Sequence, residues 1–425
     1  MSIDLKTISK KVVSLFSDQN NKQMGIDGNG LYVEQSSRTA FGESLVGQLH
    51  PIFQGSFEYT VDNTDLNTNT SVNGGTITQA SAMAVLSTWT TTASTQLLQT
   101  KQHAKYRAGL GAVNRFTMLS PLSLAGTEQY IGLADEVGSS AAFKNGYMIG
   151  FDGTTFGYHR FQNDVKITKA LADWDDPLDG EGASGMTIDH TKLNVFFVQF
   201  KYLGGGAIKI WIEDEATGKE IVVHTEKYAN LNTSPSVHNP NFFHTMWVNN
   251  GSTTTDIVLK GASYAFFIEG KTKLIELHQP SNSSDLVTAN TVTTEVPILT
   301  IRNKAAYAGK TNFIDILLKH VTAASEANSA NNLASVRMVK NATLGGASYA
   351  DINTTNSVVD IDVAANTITG GQAFLPLPLA GKNGSDSESL AHLELILNPG
   401  DTLTIAGKSA NAATIEAEIL WRELF

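Results

Sequence analysis

From Phe196 to Asp214 the chain reads FFVQFKYLGGGAIKIWIED, two strongly apolar runs on either side of three consecutive glycines. Phe196, Val198, Phe200 and Tyr202 recur with a period of two, as do Ile208, Ile210 and Ile212. Side chains alternate across a β-strand, so each run places its apolar set on one face, and a connection this short admits only an antiparallel partner. A glycine-rich loop can instead cradle phosphate. A P-loop, however, needs Lys-Ser/Thr after the last glycine and then a helix, and a dinucleotide fingerprint also opens a helix, whereas this loop leads into AIKIWIED, a strand by its period. Gly204–Gly206 is therefore expected to be the bend of a hairpin. A third strand, EIVVHTE, follows after the turn DEATGKE.

The same signature recurs roughly every ten residues. HPIFQGSFEYTV, AMAVLSTW, NRFTMLSPL, EQYIGLAD and NGYMIGFDGTTFGYHRF precede the hairpin, and FFHTMWVNN, TDIVLKGAS and YAFFIEG follow it. Charged residues make up only 17% of the chain, and polarity comes instead from Thr, Ser, Asn and 36 glycines. Thr suits a pleated strand while Gly and Asn accept positive φ in tight turns, so composition and periodicity agree. The expected fold class is all-β: two antiparallel β-sandwich domains of the jelly-roll kind with a short N-terminal helical arm. Residues 1–40 are read as that arm and its connector, because Ile8, Val12, Leu15 and Phe16 fall at helical spacing ahead of SDQNNKQMGIDGNG. Residues 41–277 form the larger sandwich, the polar stretch 278–295 a linker, and 296–425 the smaller sandwich.

A formal net charge of −11 disfavours a grip on nucleic-acid phosphates. The absence of cysteine removes disulfides, thiolate metal sites and cysteine nucleophiles. No apolar run approaches the ~18 residues of a membrane span, and Met1–Phe16 lacks the pattern of a signal peptide. Neither membrane anchoring nor conventional export is expected.

Few residues invite chemistry. Asp173, Asp175, Asp176, Asp179 and Glu181 crowd into DWDDPLDGEG, a carboxylate-rich stretch of the kind that binds hard cations. It departs from an EF-hand loop, since Pro177 takes position three and Met186 stands where the closing Glu belongs. A solvated acidic loop is the competing reading. His159, His190, His224, His238 and His244 form no His-Glu-x-x-His pair, and GASGM around Ser184 is one residue short of a nucleophile elbow. Five tryptophans could stack on sugar rings: Trp89, Trp174, Trp211, Trp247 and Trp421. Trp211 and Trp174 are the carbohydrate candidates. No carboxylate pair stands out for glycoside hydrolysis, and no cofactor is expected.

Several segments carry a resemblance. FGE at Phe41–Glu43, HPIFQGSFEY at His50–Tyr59, KYRAGLGAVNRFT at Lys105–Thr117 and GYMIGFDGTTFGYHR at Gly146–Arg160 form one group. SGMTIDHTKLNVFFVQFKYLGGGAIKIWIED at Ser184–Asp214, VHTEKYAN at Val223–Asn230, PSVHNPN at Pro235–Asn241 and LKGASYAFFIEGK at Leu259–Lys271 extend it. IRNKAAYAGKTN, MVKNATLGGASYADIN, ITGGQA and LNPGDTLTIAGKS continue it into the second domain. Together, in this order, they resemble a family of virion structural proteins of tailed bacteriophages and some large DNA viruses. The resemblance implies a non-enzymatic, capsid- or tail-associated role, in the virion after assembly in the host cytoplasm. Its implied partners are further copies of the chain and other virion proteins; the alternative is a receptor-recognition module for a host-surface glycan. Where the family tends to carry Leu-Pro after NPN, this chain has Phe242-Phe243, so that loop is expected to differ.

Overall fold

The computed structural model describes residues 26–27, 30–31, 49–61, 67–270, 281–283, 287–291, 294–326, 333–379, 384–393, 395–410 and 413–424. The helical arm expected within residues 1–40 lies outside the described residues, except that Ile26–Asp27 and Gly30–Leu31 pair as a minimal antiparallel ladder. The chain divides into two compact units, Met1–Thr272 and Lys273–Phe425. Both are built of antiparallel sheets.

The first unit contains β1 (Leu49–Ser56), β2 (Asn67–Val72), β3 (Thr76–Ala80), β4 (Met83–Ser87), β5 (Thr95–Thr100), β6 (Gly111–Met118), β7 (Glu128–Ala134) and β8 (Gly146–Asp152). It continues with β9 (Thr155–Gln162), β10 (Val165–Ala170), β11 (Asn194–Phe200), β12 (Ile208–Glu213), β13 (Glu220–Glu226), β14 (Phe243–Asn249), β15 (Val258–Gly261) and β16 (Ser263–Glu269). A seven-stranded sheet runs β10–β9–β8–β7–β14–β5–β2, a six-stranded sheet β13–β12–β11–β6–β16–β1, and a three-stranded sheet β15–β4–β3. The two large sheets form the sandwich. Their alternation supplies its core: Phe196, Val198 and Phe200 from β11 and Ile208, Ile210 and Ile212 from β12 meet Ile131, Leu133, Tyr147 and Ile149 from the facing sheet.

The outward faces are covered as well. On the six-stranded sheet the Arg115 guanidinium lies between the Phe197 and Phe267 rings, at 5.2 and 5.1 Å from their centroids. On the seven-stranded sheet Leu97, Tyr130, Met148, Phe161 and Trp247 form a second apolar cluster with Ala142 and Phe143 of the β7–β8 connection. This explains why these strands read as near-continuous apolar runs.

The second unit comprises β17 (Ser281–Ser283), β18 (Val287–Thr291), β19 (Val296–Asn303), β20 (Asp315–Glu326), β21 (Ala334–Lys340), β22 (Ala350–Asp351) and β23 (Val359–Asp362). β24 (Gln372–Leu379), β25 (Gly384–Ser389), β26 (Ile396–Leu397), β27 (Thr402–Ser409) and β28 (Ala413–Leu424) complete its two large sheets, beside two minimal ladders that pair Ala306–Tyr307 with Lys310–Thr311 and Thr343–Gly345 with Thr367–Thr369. One sheet runs β22–β23–β19–β27–β21–β24; the other runs β17–β28–β20–β25, with β18 also on β28 and β26 on β20. β17 and β18 fall within the stretch expected to be linker and are instead paired to the last strand of this unit. Glu423 is fully buried here, its carboxylate accepting from Ser357 Oγ, the Val358 amide and Trp421 Nε1 at 2.6, 2.8 and 3.3 Å.

Three of the buried titratable groups in the first unit bear on its stability in acid. Burial pushes His244 down to about 3, with its ring stacked on Tyr264 at 4.3 Å, and pushes His159 down to about 4. Burial pushes Asp135 up to about 6, although Asn145 and Asn239 donate to it. Between pH 6 and 4 an unfolded chain, with His near 6.5 and Asp near 3.9, binds about two more protons at the histidines and about one fewer at the aspartate. Unfolding then takes up a net proton, so stability falls on acidification by roughly 1.4 kcal/mol per pH unit from these groups. Replacing His244 by Gln removes one of the histidines, and the remaining one is offset by Asp135. Urea unfolding of the two proteins at several pH values in this window should show a flatter acid dependence for His244→Gln; parallel curves would contradict the assignment.

Candidate functional site

The hairpin between β11 and β12 is tight. Gly206 N donates to Tyr202 O at 2.8 Å, and a Cβ on Gly206 would lie 1.4 Å from Lys201 O, so no other residue fits there. Leu203 and Gly204 carry φ of +36° and +78°, which turns the chain back. Gly205 is unconstrained: the nearest atom to its missing Cβ is Tyr228 Cδ1 at 4.0 Å.

Around this hairpin five short stretches that are distant in the chain come together. Ser236 N donates to Gly204 O at 2.8 Å, Tyr202 OH to Val237 O at 2.8 Å, and Leu203 N to Tyr106 OH at 3.1 Å. Arg160 donates to Ser236 O at 2.9 Å and Glu226 Oε1 at 3.1 Å, and its guanidinium covers the Tyr228 ring at 5.1 Å. Tyr106 N donates to Asn241 Oδ1, and Asn239 Oδ1 accepts from Asn241 N, each at 3.1 Å. Phe242, which follows NPN, is buried with its ring centroid 5.4 Å from that of Tyr147 and 6.2 Å from that of Phe200. The segments KYRAG, GYHR, YLGGG, VHTEKY and PSVHNPN thus interlock at one end of the sandwich.

An open depression of about 580 Å³ lies at this end, lined by Lys201, Gly205, Tyr228, Asn230, Asn232 and Thr233 among others. Two leucines project into solvent from its flanking loops, Leu203 with 60% and Leu231 with 70% of its surface exposed.

The acidic segment is organised by its own carboxylates. Asp176 is buried and accepts from the Leu178 and Ser184 amides at 3.2 and 2.7 Å; Asp179 accepts from Glu181 N at 2.9 Å. Asp175 accepts from Thr225 N at 2.7 Å and lies 3.4 Å from His224 Nδ1. Asp173 and Glu181 face solvent. The carboxylates point to different strands and turns, and among the described residues no three His, Asp or Glu side chains converge as a metal set. Asp164, unremarked in sequence, does similar work. The Ser139 hydroxyl and the amides of Ser139, Ser140 and Ala141 donate to its carboxylate and hold its pKa well below the usual carboxylate range.

The tryptophan expectation needs correction. Trp174 is only 5% exposed, lies stacked over His224 with 6.1 Å between ring centroids, and donates its indole N–H to Lys169 O, leaving no face for a sugar. Trp211 does lie on the outer face of the six-stranded sheet, but it is half-buried and donates to Gln199 Oε1 at 3.2 Å. Trp247 and Trp421 are buried. Trp89 is the exposed one, at 52%. Its only sequence signal was a threonine-rich flank without alternation.

One further cluster has the ingredients of acid–base chemistry. Lys166 Nζ bridges Glu128 Oε1 at 3.1 Å and Asp152 Oδ1 at 2.9 Å, beside Tyr130 and His159. Tyr130 and His159 are fully buried, and burial drives the Tyr130 hydroxyl far above its ordinary pKa. The cluster lies on the outer face of the seven-stranded sheet, where Tyr130 also packs against Phe161.

No protein-family model and no curated protein matches the chain. Solved structures that resemble it include peanut lectin with a bound 9mer peptide, at 8% identity and a TM-score of 0.35, covering 52% of this chain and 98% of the lectin. An immunostimulatory antigen and pseudo β-1,3-glucanase of Mycobacterium tuberculosis is 10% identical with a TM-score of 0.36, covering 52% and 99%. An endo-β-1,4-glucuronan lyase of the fungus Trichoderma reesei is 13% identical with a TM-score of 0.31, covering 52% and 96%. Values this low carry no inference about what this chain binds.

Two outcomes follow from the loop geometry. Gly206→Ala should destabilise the protein by about 3 kcal/mol through the clash with Lys201 O, while Gly205→Ala should change stability by no more than about 0.5 kcal/mol; paired denaturant titrations decide it. Asp176→Ala, which orphans two amides, should cost about 2 kcal/mol. Calcium should leave the melting temperature of the wild type unchanged, and a calcium-dependent rise would restore the cation reading.

Proposed function

We propose that this chain is a non-enzymatic structural component of a virus particle, of a tailed bacteriophage or a related DNA virus, working in a homo-oligomeric assembly attached to capsid or tail. The observation that carries the reading is the convergence of five of the resembling stretches, KYRAG, GYHR, YLGGG, VHTEKY and PSVHNPN, on one interlocked end of the first sandwich. Tyr106 is tied there to Leu203 and to Asn241, 97 and 135 positions further along the chain, by side chain to backbone bonds. Such an end is rigid, and rigidity lowers the ordering cost of docking. Leu203 and Leu231 project from it as the apolar contacts a neighbouring subunit would cover.

The polar side chains most suited to chemistry serve the framework in this reading. Asp164 and Asp176 organise loops and Lys166 is shared by two carboxylates. The partners are other copies of the chain and other virion proteins. A second reading, recognition of a host-surface glycan, is favoured by one observation, the exposed indole of Trp89.

Sedimentation velocity and electron microscopy of the full chain test the proposal. A closed oligomer is expected, shifted toward monomer by the double change Leu203→Asp and Leu231→Asp with melting temperature unchanged. Labelling of particles with an antibody against the chain should decorate them at regular positions. A monomer that is also absent from particles would overturn the reading.

A further inference from the structure

At the opposite end of the first sandwich, where β14 ends and β5 begins, Trp89 stands on backbone that a bulky residue rarely adopts. Its φ is +54°, and Asn73 and Ala93 in the same group of loops have φ of +58° and +54°. The conformation is held by many bonds. Asp256 Oδ1 accepts from Trp89 N at 2.8 Å and from Ser87 Oγ at 2.9 Å. Thr88 N donates to Ile257 O at 3.1 Å and Thr88 Oγ1 accepts from Ile257 N at 2.9 Å. Asn250 donates to Thr91 O and accepts from Ser94 N, at 2.7 and 2.9 Å, and Asn73 donates to Ala93 O at 2.8 Å. Strain kept in place by so many partners marks a side chain whose position matters.

The surroundings indicate what that indole meets. Thr90, Thr91, Thr92, Ser252, Thr254 and Thr255 are exposed beside it, and Asp256 is the sole charged residue in residues 88–94 and 250–257. An anion would call for Lys or Arg. A flat aromatic face within a rim of neutral hydroxyls matches a ligand with an apolar face and hydroxyl edges.

We propose that Trp89 and the loops at residues 88–94 and 250–257 form a saccharide-binding platform. The C–H face of a pyranose ring stacks on the indole, and its hydroxyls exchange hydrogen bonds with the threonine and serine rim. This deepens the glycan reading and is independent of the assembly reading, which a particle protein without glycan affinity would leave intact.

The test is a glycan array probed with the labelled full chain, followed by tryptophan emission during titration with cellobiose, lactose and diacetylchitobiose. Iodide should quench the free protein through Trp89, and saccharide should protect it. Trp89→Ala should weaken array binding by at least about tenfold, with Trp211→Ala without effect. Trp89→Gly should lose binding while melting at the same or a higher temperature, because glycine accepts this φ. Absence of array binding, binding indifferent to Trp89→Ala, or an indole already shielded from iodide in the free protein would each overturn the proposal.

Discussion

Everything in the first unit depends on antiparallel pairing with a period of two. Once β11 and β12 pair as Phe196 with Ile212 and Phe200 with Ile208, their apolar sets must share one face. A one-residue slip would move all of them to the other side. The facing sheet offers Ile131, Tyr147 and Ile149 at the same alternation, so the two registers stabilise each other through a common core. Burial of the outer faces, by Arg115 on one sheet and by the β7–β8 connection on the other, lets strands with few polar positions stay in a protein with so modest a charge.

A sandwich leaves its difficulties at the strand ends, where backbone amides have no ladder partner. This chain meets them with carboxylates and amides. Asp164 gathers three successive N–H groups, Asp176 two, and Asn145, Asn239 and Asn241 stitch the loops around Asp135 and Tyr106. Of the acidic residues that suggest a cation in the linear chain, Asp175, Asp176 and Asp179 each face a different donor, and Asp173 and Glu181 face solvent. The same device, applied through Asp256, holds Trp89 in its unfavourable backbone conformation at the other end.

Strand identity, hairpin order and the bend at Gly204–Gly206 were legible because alternation and turn chemistry are local properties. The need for Gly206 in particular was not, since it arises from the Lys201 carbonyl folded back against it. Alternation along β12 puts Trp211 on the outer face, but it cannot tell that Trp174 is covered by His224 while Trp89 is lifted outward. The strands β17 and β18 read as linker because Ser, Thr and Asn with little apolar alternation are the signature of a loop, and only the long strand β28 gives them partners.

Sequence by itself determined the all-β class, the antiparallel order of the strands and the poverty of local catalytic patterns, because period, turn residues and composition act over a few positions. Tertiary structure decided which polar groups became clasps, which segments met at the interlocked end, and which one of five tryptophans faces solvent. Many of those outcomes depend on contacts between residues far apart in the chain, such as Trp89 with Asp256, and no local pattern encodes which distant partner a side chain will find.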